Sequence, residues 1–197
     1  YFTTAPTAPT VNTEAATGIN VCKATLNGHV NANNDNTYVT FEWGKTTAYG
    51  NIAEADQFPV QGYADDSVTS NLASLNPNTT YHYRVVAINF AGTTYGSDMN
   101  FKTLKIAPEV ITNPASSVTL NSATLNGDVN ANNDTTEAYF EWGTSTSYGN
   151  QVMADQNPFT GIALSTASSS LTNLTPATTY FFRVVAINSS DTTYGSA

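Results

Sequence analysis

Apolar and polar residues alternate with a period of two along most of this 197-residue chain. Residues 81–88 show the pattern clearly, because one side of the alternation carries Tyr81, Tyr83, Val85 and Ala87. Successive side chains of a strand point to opposite faces, so this segment predicts a strand with one buried face. Turn segments rich in Asn, Gly and Pro separate such stretches, and none sustains a helical period. The pattern therefore predicts an all-β protein.

The pattern repeats with an offset of 99 positions. Ala-Thr-Leu-Asn-Gly at 24–28 returns at 123–127, and Arg-Val-Val-Ala-Ile-Asn at 84–89 returns at 183–188. Several short strands in each copy, separated by turns, are typical of a two-sheet sandwich. The sequence thus predicts two domains of one fold.

One segment of each copy resembles the sixth strand of fibronectin type III domains. It reads Leu-x-Pro-x-Thr-x-Tyr-x-Tyr-x-Val-x-Ala-x-Asn over 75–89, and 174–188 repeats it with Phe at the second Tyr. The resemblance implies that Tyr81 forms a tyrosine corner, with its ring buried and its hydroxyl bonded to nearby backbone. The Phe-Glu-Trp-Gly segments at 41–44 and 140–143 resemble tandem modules of bacterial exported and surface proteins. This fold serves spacers, adhesins, receptors and enzyme appendages, so it does not decide function.

The Phe-Glu-Trp-Gly strand also makes predictions about packing. We expect Trp43 and Trp142 to fill the centre of each sandwich. Glu42 points to the opposite face of its strand, where we expect it either to be solvated or to face Arg84 across the sheet. The corresponding pair is expected in the second copy.

Charge and composition exclude several partners. The chain has 15 acidic and 6 basic residues, a net charge of −9, and its bases are scattered rather than aligned. Nucleic acid and anionic membrane surfaces are therefore not expected as partners. No apolar run is long enough to cross a bilayer, so no membrane insertion is expected. The single cysteine, Cys22, excludes an intrachain disulfide.

The sequence offers little for catalysis. His29 and His82 correspond to Asp128 and Phe181 in the second copy, so the module requires neither histidine. No G-x-S-x-G motif accompanies the many Ser and Thr residues. We expect no enzymatic activity, no catalytic residue and no cofactor.

The Asn- and Asp-rich loops at 31–36 and 130–134 carry oxygen ligands of the kind that Ca²⁺ prefers. They lack the regular ligand spacing and the bidentate acid of a calcium loop, and Asn and Asp also favour turns. We therefore predict turns and no metal site.

Four asparagines match the N-glycosylation acceptor pattern. Such matches arise by chance in a chain this rich in Asn, Ser and Thr, so they indicate compatibility with an extracellular or cell-surface location. The four positions are Asn78, Asn133, Asn173 and Asn188.

The repeat is out of phase with the ends of the chain. The first copy continues through residues 98–104, which read as a last strand, whereas the second stops at Ala197. Phe2-Thr3-Thr4-Ala5 aligns at the same offset with Phe101-Lys102-Thr103-Leu104. We expect two tandem fibronectin type III-like sandwiches, the second lacking its own last strand. The predicted strand donor is Tyr1, Phe2, Thr3, Thr4 and Ala5; the predicted acceptor is Phe182, Val184, Ala186 and Tyr194.

The domain prediction is a donated-strand and linker segment at 1–8, a first domain at 9–105 and a second at 106–197. Two arrangements account for the phase: separate copies joined head to tail into a filament by strand addition, or one period of a long covalent array. A third explanation is that the ends are arbitrary fragment boundaries. The alternative functions are an adhesin for host or matrix glycans or proteins, and a spacer of a secreted hydrolase. A loop-borne aromatic patch that binds glycans would favour the adhesin.

Overall fold

The computed structural model describes residues 4–197. The chain divides into two compact units, which we call unit 1 (Tyr1–Leu104) and unit 2 (Lys105–Ala197). Strands are the regular elements of the described residues in both units. Residues 1–3, which belong to the predicted strand donor, lie outside the described part of the chain.

The described part of unit 1 contains eight strands arranged in two antiparallel sheets. The strands are β1 (Thr10–Thr17), β2 (Ala24–Asn31), β3 (Tyr38–Gly44), β4 (Asn51–Glu54), β5 (Asp65–Leu72), β6 (Thr80–Asn89), β7 (Gly92–Tyr95) and β8 (Met99–Lys102). One sheet has the order β1-β2-β5, and the other has the order β4-β3-β6-β7. Strand β8 also pairs with β6. Strands β7 and β8 thus form two halves of one edge, each paired with a different part of β6.

Unit 2 repeats this arrangement. Its strands are β9 (Glu109–Ser116), β10 (Ala123–Asn130), β11 (Glu137–Gly143), β12 (Asn150–Met153), β13 (Ser165–Leu171), β14 (Phe181–Ile187) and β15 (Thr192–Tyr194). The sheet orders are β13-β10-β9 and β12-β11-β14-β15. Strand β15 is the counterpart of β7. Within the residues that the structure describes, unit 2 has no counterpart of β8.

The predicted strand alternation is confirmed, and it builds the core. On β6 the side chains of Tyr81, Tyr83, Val85 and Ala87 are all buried. Phe41 of β3 is fully buried beside them and belongs to the same cluster. The two sheets therefore enclose one continuous apolar layer in unit 1.

The prediction that tryptophan fills the centre of each sandwich is wrong. Trp43 and Trp142 are only partly buried and pack against the margin of the core clusters. Their rings lie 5.8 Å from those of Tyr81 and Tyr180, respectively. The fully buried phenylalanine two residues earlier on the same strand occupies the centre instead.

Two further predicted contacts are confirmed. The Asn76 amide donates to the Tyr81 hydroxyl at 3.0 Å, which is the tyrosine corner. Arg84 donates from Nε to a Glu42 carboxylate oxygen at 2.7 Å across the strand pair. Unit 2 repeats both contacts at the corresponding positions.

The Asn-rich loops form turns held by their own side chains. Asn33 adopts a positive φ of 50°, and its amide N–H donates to the Asn31 side-chain oxygen at 2.9 Å. The Asn33 side-chain amide donates to the Ala8 carbonyl at 2.7 Å. Asn132 makes the matching bond to the Ala107 carbonyl in unit 2. These loops therefore anchor the segment that enters each unit, and the described residues contain no cluster suited to a metal ion.

Candidate interaction edge of unit 2

Strand β8 closes one pole of unit 1. It runs antiparallel to the first residues of β6, with Tyr81 opposite Phe101 and Tyr83 opposite Met99. The Phe101 side chain is only 5% exposed. Its ring lies 5.7 Å from that of Tyr81 and 5.9 Å from that of Tyr83. Phe101 thus completes the aromatic part of the core.

Thr103, the residue after β8, caps a turn of unit 1. Its hydroxyl accepts a hydrogen bond from the Thr79 amide at 2.9 Å and donates to the Asn76 carbonyl at 2.6 Å. Its own amide donates to the Thr79 carbonyl at 3.0 Å. Thr103 is only 2% exposed, and its hydroxyl satisfies the buried amide of Thr79 and the partly buried carbonyl of Asn76.

Leu104 extends the same closure by one residue. Its amide donates to the Asn20 carbonyl at 3.1 Å, and its carbonyl accepts from the Asn78 amide at 3.0 Å. Residues 101–104 therefore tie the start of β6 to the loops beside it.

At the corresponding pole of unit 2, the described residues contain no strand in the position of β8. Strand β14 begins at Phe181, whereas β6 begins at Thr80, so the counterparts of the first residues of β6 lie outside any strand. Phe182 is partly exposed, although its counterpart Tyr83 is fully buried. Leu120 is 81% exposed in the adjacent loop. Apolar side chains that unit 1 covers thus face solvent in unit 2.

These exposed residues line a cleft of about 390 Å³. Its lining includes the apolar residues Leu125, Leu171 and Phe182, together with Thr175 and Thr178 from the segment before β14. The side chain of Trp142, which packs against the same cluster, has a buried Nε1 without a hydrogen-bond partner among the described residues. We call the cleft and residues 175–182 the open edge.

The structure places only one of the four predicted acceptor residues at the open edge. Ala186 lies opposite Thr193 of β15, and Tyr194 belongs to β15 itself, so both already take part in a strand pair of unit 2. The Val184 carbonyl accepts from the Gly195 amide at 2.8 Å. Of the four predicted acceptor residues, only Phe182 lies at the open edge. The offset of 99 positions could have located Phe182, because β8 pairs with residues 80–83 and Phe182 is the counterpart of Tyr83.

The predicted donor is only partly described. Thr4 and Ala5 are exposed and lie outside any strand, and the other three donor residues lie outside the described part. The Thr7 carbonyl, two residues further on, accepts from the Asn89 side chain at 2.9 Å.

The predicted glycosylation positions differ in accessibility. Asn173 is exposed in a turn, and Asn78 and Asn133 are half-buried. Asn188 donates from its side-chain amide to the Ile106 carbonyl at 2.9 Å, so its nitrogen is engaged in the fold. Asn173 is thus the most accessible of the four.

Each histidine lies beside one carboxylate. His82 Nδ1 is 2.9 Å from an Asp98 oxygen, and His29 Nε2 is 3.4 Å from a Glu14 oxygen. Both pairs lie on outer faces of unit 1 and are partly exposed to solvent. Both histidines therefore belong to pairs on the surface of unit 1.

Tyr83 differs chemically from its unit 2 counterpart, Phe182. Burial, with a smaller contribution from the nearby Glu14 carboxylate, raises the pKa of the Tyr83 hydroxyl to about 12. The hydroxyl donates to the Glu14 carbonyl. Only unit 1 therefore carries this buried titratable group at the pole.

Unit 1 also exposes an aromatic cluster that sequence reasoning missed. The rings of Tyr38 and Phe58 lie 4.8 Å apart, and both side chains are more than half exposed. Tyr38 pairs across the sheet with Ile88, two residues before Phe90, which is 89% exposed. The counterparts of the three aromatic residues in unit 2 are Glu137, Asn157 and Ser189. We call Tyr38, Phe58 and Phe90 the aromatic cluster.

Solved structures share this architecture. The FN1–FN3 domains of chicken CNTN1 match with a TM-score of 0.50 at 15% identity, over 94% of this chain and 62% of that chain. A two-domain fibronectin type III segment of chicken tenascin matches with a TM-score of 0.40 at 16% identity, over 93% of this chain and 95% of that one. Each unit has the fibronectin type III fold. The predicted resemblance to two tandem fibronectin type III sandwiches is therefore confirmed for the fold.

Another match concerns a bacterial protein. The sensor domain of the anti-sigma factor RsgI4 of Pseudobacteroides cellulosolvens matches with a TM-score of 0.42 at 19% identity, over 53% of this chain and all of that one. No protein-family model and no curated protein matches the chain. Among the described residues, no helix has the length and apolar character needed to cross a bilayer.

Proposed function

We propose that the chain is a structural component of an extended extracellular array of fibronectin type III domains. In this array an added strand completes unit 2 at its open edge. The observation that supports the proposal is the contrast between the two poles: residues 101–104 close the pole in unit 1, and the described residues supply no such segment in unit 2.

The open edge has the properties of a strand acceptor. An exposed edge presents unpaired N–H and C=O groups that template pairing with another strand. Main-chain bonds then supply affinity, and pockets for alternate side chains supply specificity. The cleft beside β14 is such a pocket, because the same position holds the Phe101 ring in unit 1.

A strand supplied by a neighbouring unit gives a linear assembly. The acceptor lies in unit 2, and the matching sequence lies at the start of unit 1, before β1, so donor and acceptor are different parts of one repeat. An assembly built on such a heterologous contact has a free donor at one end and a free acceptor at the other. It therefore grows into a filament unless the rotation between successive copies closes it into a ring. A mechanical, non-enzymatic role at the cell exterior agrees with the acidic, scattered charge of the chain.

The mass of the protein before and after full denaturation tests this proposal. If separate copies assemble, native material has a mass of many copies and denatures to single chains of 20.9 kDa. If the repeats form one covalent array, the protein from its source keeps a much larger mass after denaturation. Two results together would contradict the proposal that the open edge accepts a strand. The 197-residue chain would stay monomeric at high concentration, and unit 2 would gain no stability from an appended copy of residues 99–104.

Adhesion is a second candidate, favoured by the aromatic cluster. Exposed apolar patches mark interaction sites, and this one occurs only in unit 1, so the fold itself does not require it. Replacing Tyr38, Phe58 and Phe90 with the unit 2 residues Glu, Asn and Ser gives a matched variant. Binding to immobilised glycans by the native chain and not by this variant would support adhesion through the cluster, and equal or absent binding would eliminate glycan adhesion through it.

A further inference from the structure

We infer that the open edge takes an extended Phe-x-Thr segment in one fixed register, and that Phe2 and Thr4 of a second copy supply it. This inference rests on the proposed function and names its partner. The register follows from unit 1, where Phe101 and Thr103 occupy the matching positions.

The first anchor is the phenylalanine. In unit 1 the Phe101 ring contacts the rings of Tyr81 and Tyr83. Their counterparts, Tyr180 and Phe182, line the cleft of unit 2 and are both only partly buried. The cleft therefore keeps two aromatic walls and lacks the ring between them.

The second anchor is the threonine. The Thr103 hydroxyl bonds to the amide of Thr79 and the carbonyl of Asn76. The counterparts of these two residues are Thr178 and Thr175, and both line the cleft. A threonine hydroxyl both donates and accepts, so it matches this pair of backbone groups, which valine cannot do.

Residues 2–5 and residues 101–104 have the same side chains at the inward positions and different side chains at the outward positions. Phe101 and Thr103 are buried, and residues 2 and 4 carry the same side chains. Lys102 and Leu104 are exposed, and they correspond to Thr3 and Ala5. A segment selected for insertion into this core is expected to keep the first pair and vary the second.

The spacing to the next anchored residue also agrees. Three positions after Thr103, the Ile106 carbonyl accepts from the Asn188 side chain of unit 2. Three positions after Thr4, the Thr7 carbonyl accepts from the Asn89 side chain of unit 1. A donated segment thus has the same length of chain between its cap and the unit it leads into.

Binding of synthetic peptides to a chain lacking residues 1–5 tests the register. The probe peptide is Tyr-Phe-Thr-Thr-Ala-Pro-Thr-Ala (residues 1–8), with Phe2→Ala and Thr4→Val versions, and a Thr3→Ala version is the matched control. Fluorescence of Trp142, whose ring lies 5.8 Å from that of Tyr180, reports binding in a Trp43→Phe background.

The Phe2→Ala peptide should bind roughly a hundredfold more weakly, the loss expected when about 2.8 kcal/mol of buried aromatic contact is removed. The Thr4→Val peptide should bind about tenfold more weakly, and the Thr3→Ala peptide should bind like the native one. Equal affinity of all four peptides would overturn the register.

A peptide with the sequence of residues 99–106 separates the two proposals. If it binds and the native 1–8 peptide does not, the open edge accepts strands but the named partner is wrong. If neither binds, the open edge itself fails, and with it the proposed assembly. Binding of both, with the predicted order among the variants, supports both proposals.

Discussion

Replacing Phe101 with alanine is expected to give unit 1 the open pole that unit 2 already has. Burying a phenylalanine side chain contributes about 1.5–3 kcal/mol. Phe101 is 5% exposed and adds ring contacts with Tyr81 and Tyr83, each worth about 0.5–1.5 kcal/mol. We therefore expect the free energy of unfolding of unit 1 to fall by about 3–5 kcal/mol, the usual range for a buried Phe→Ala change.

Urea unfolding followed by Trp43 fluorescence measures this loss in a Trp142→Phe background, where unit 1 holds the only tryptophan. Phe90→Ala is the matched control, because the Phe90 side chain is 89% exposed and its removal should change stability by no more than about 0.5 kcal/mol. A loss below about 1 kcal/mol for Phe101→Ala, close to that of the control, would refute the view that this ring completes the core.

Three further predictions concern the same pole and the adjoining strands. Thr103→Val should cost about 1–3 kcal/mol, because a buried amide and a buried carbonyl lose their partner; Lys102→Ala, on the exposed side of β8, should be neutral in the same unfolding assay. Between pH 10 and about 12, unit 1 should lose stability, because the Tyr83 hydroxyl gives up its proton at its ordinary pKa of 10.0 when unfolded but keeps it to about 12 when folded. Unfolding at a series of alkaline pH values checks this, and a Tyr83→Phe variant that keeps the same pH dependence would contradict it. Gly44→Ala should cost about 3 kcal/mol or more, since the added Cβ would lie 1.7 Å from the Tyr49 carbonyl oxygen; unchanged thermal stability would contradict that clash.

Local patterns predicted those parts of the fold that depend on alternation. The inward face of β6 follows from the strand period and is confirmed. The same period places Glu42 on the outward face, either solvated or facing Arg84, and the structure shows the pair with Arg84. Trp43 points to the predicted face, yet it lies at the margin of the core. Period-two alternation assigns a side to a residue but not a depth along the strand, so it could not distinguish Trp43 from Phe41.

The open edge was only partly predictable for a similar reason. The offset of 99 positions predicts that residues 106–197 contain no counterpart of the last strand of unit 1, but it does not show that β15 already pairs with the later part of β14. Ala186 and Tyr194 were therefore included in the acceptor. The threonine cap depends on how a turn folds against a strand end, which no periodic pattern reports.

A disulfide between copies tests the strand exchange most directly. Thr80 lies opposite Lys102 in unit 1, so the inferred register places Thr3 of one copy opposite Thr179 of the next. In a Cys22→Ser background, a Thr3→Cys, Thr179→Cys chain should oxidise into a ladder of covalent multiples of 20.9 kDa on a denaturing, non-reducing gel.

The control pairs Thr3→Cys with Phe181→Cys, two residues out of register. Cα atoms displaced by two positions lie about 7–8 Å apart, beyond the usual reach of a disulfide, so this chain should cross-link poorly. A ladder from the first chain and not from the control is the predicted result. Single chains with an internal disulfide, or equal ladders from both, would contradict the claim that a second copy completes unit 2 in this register.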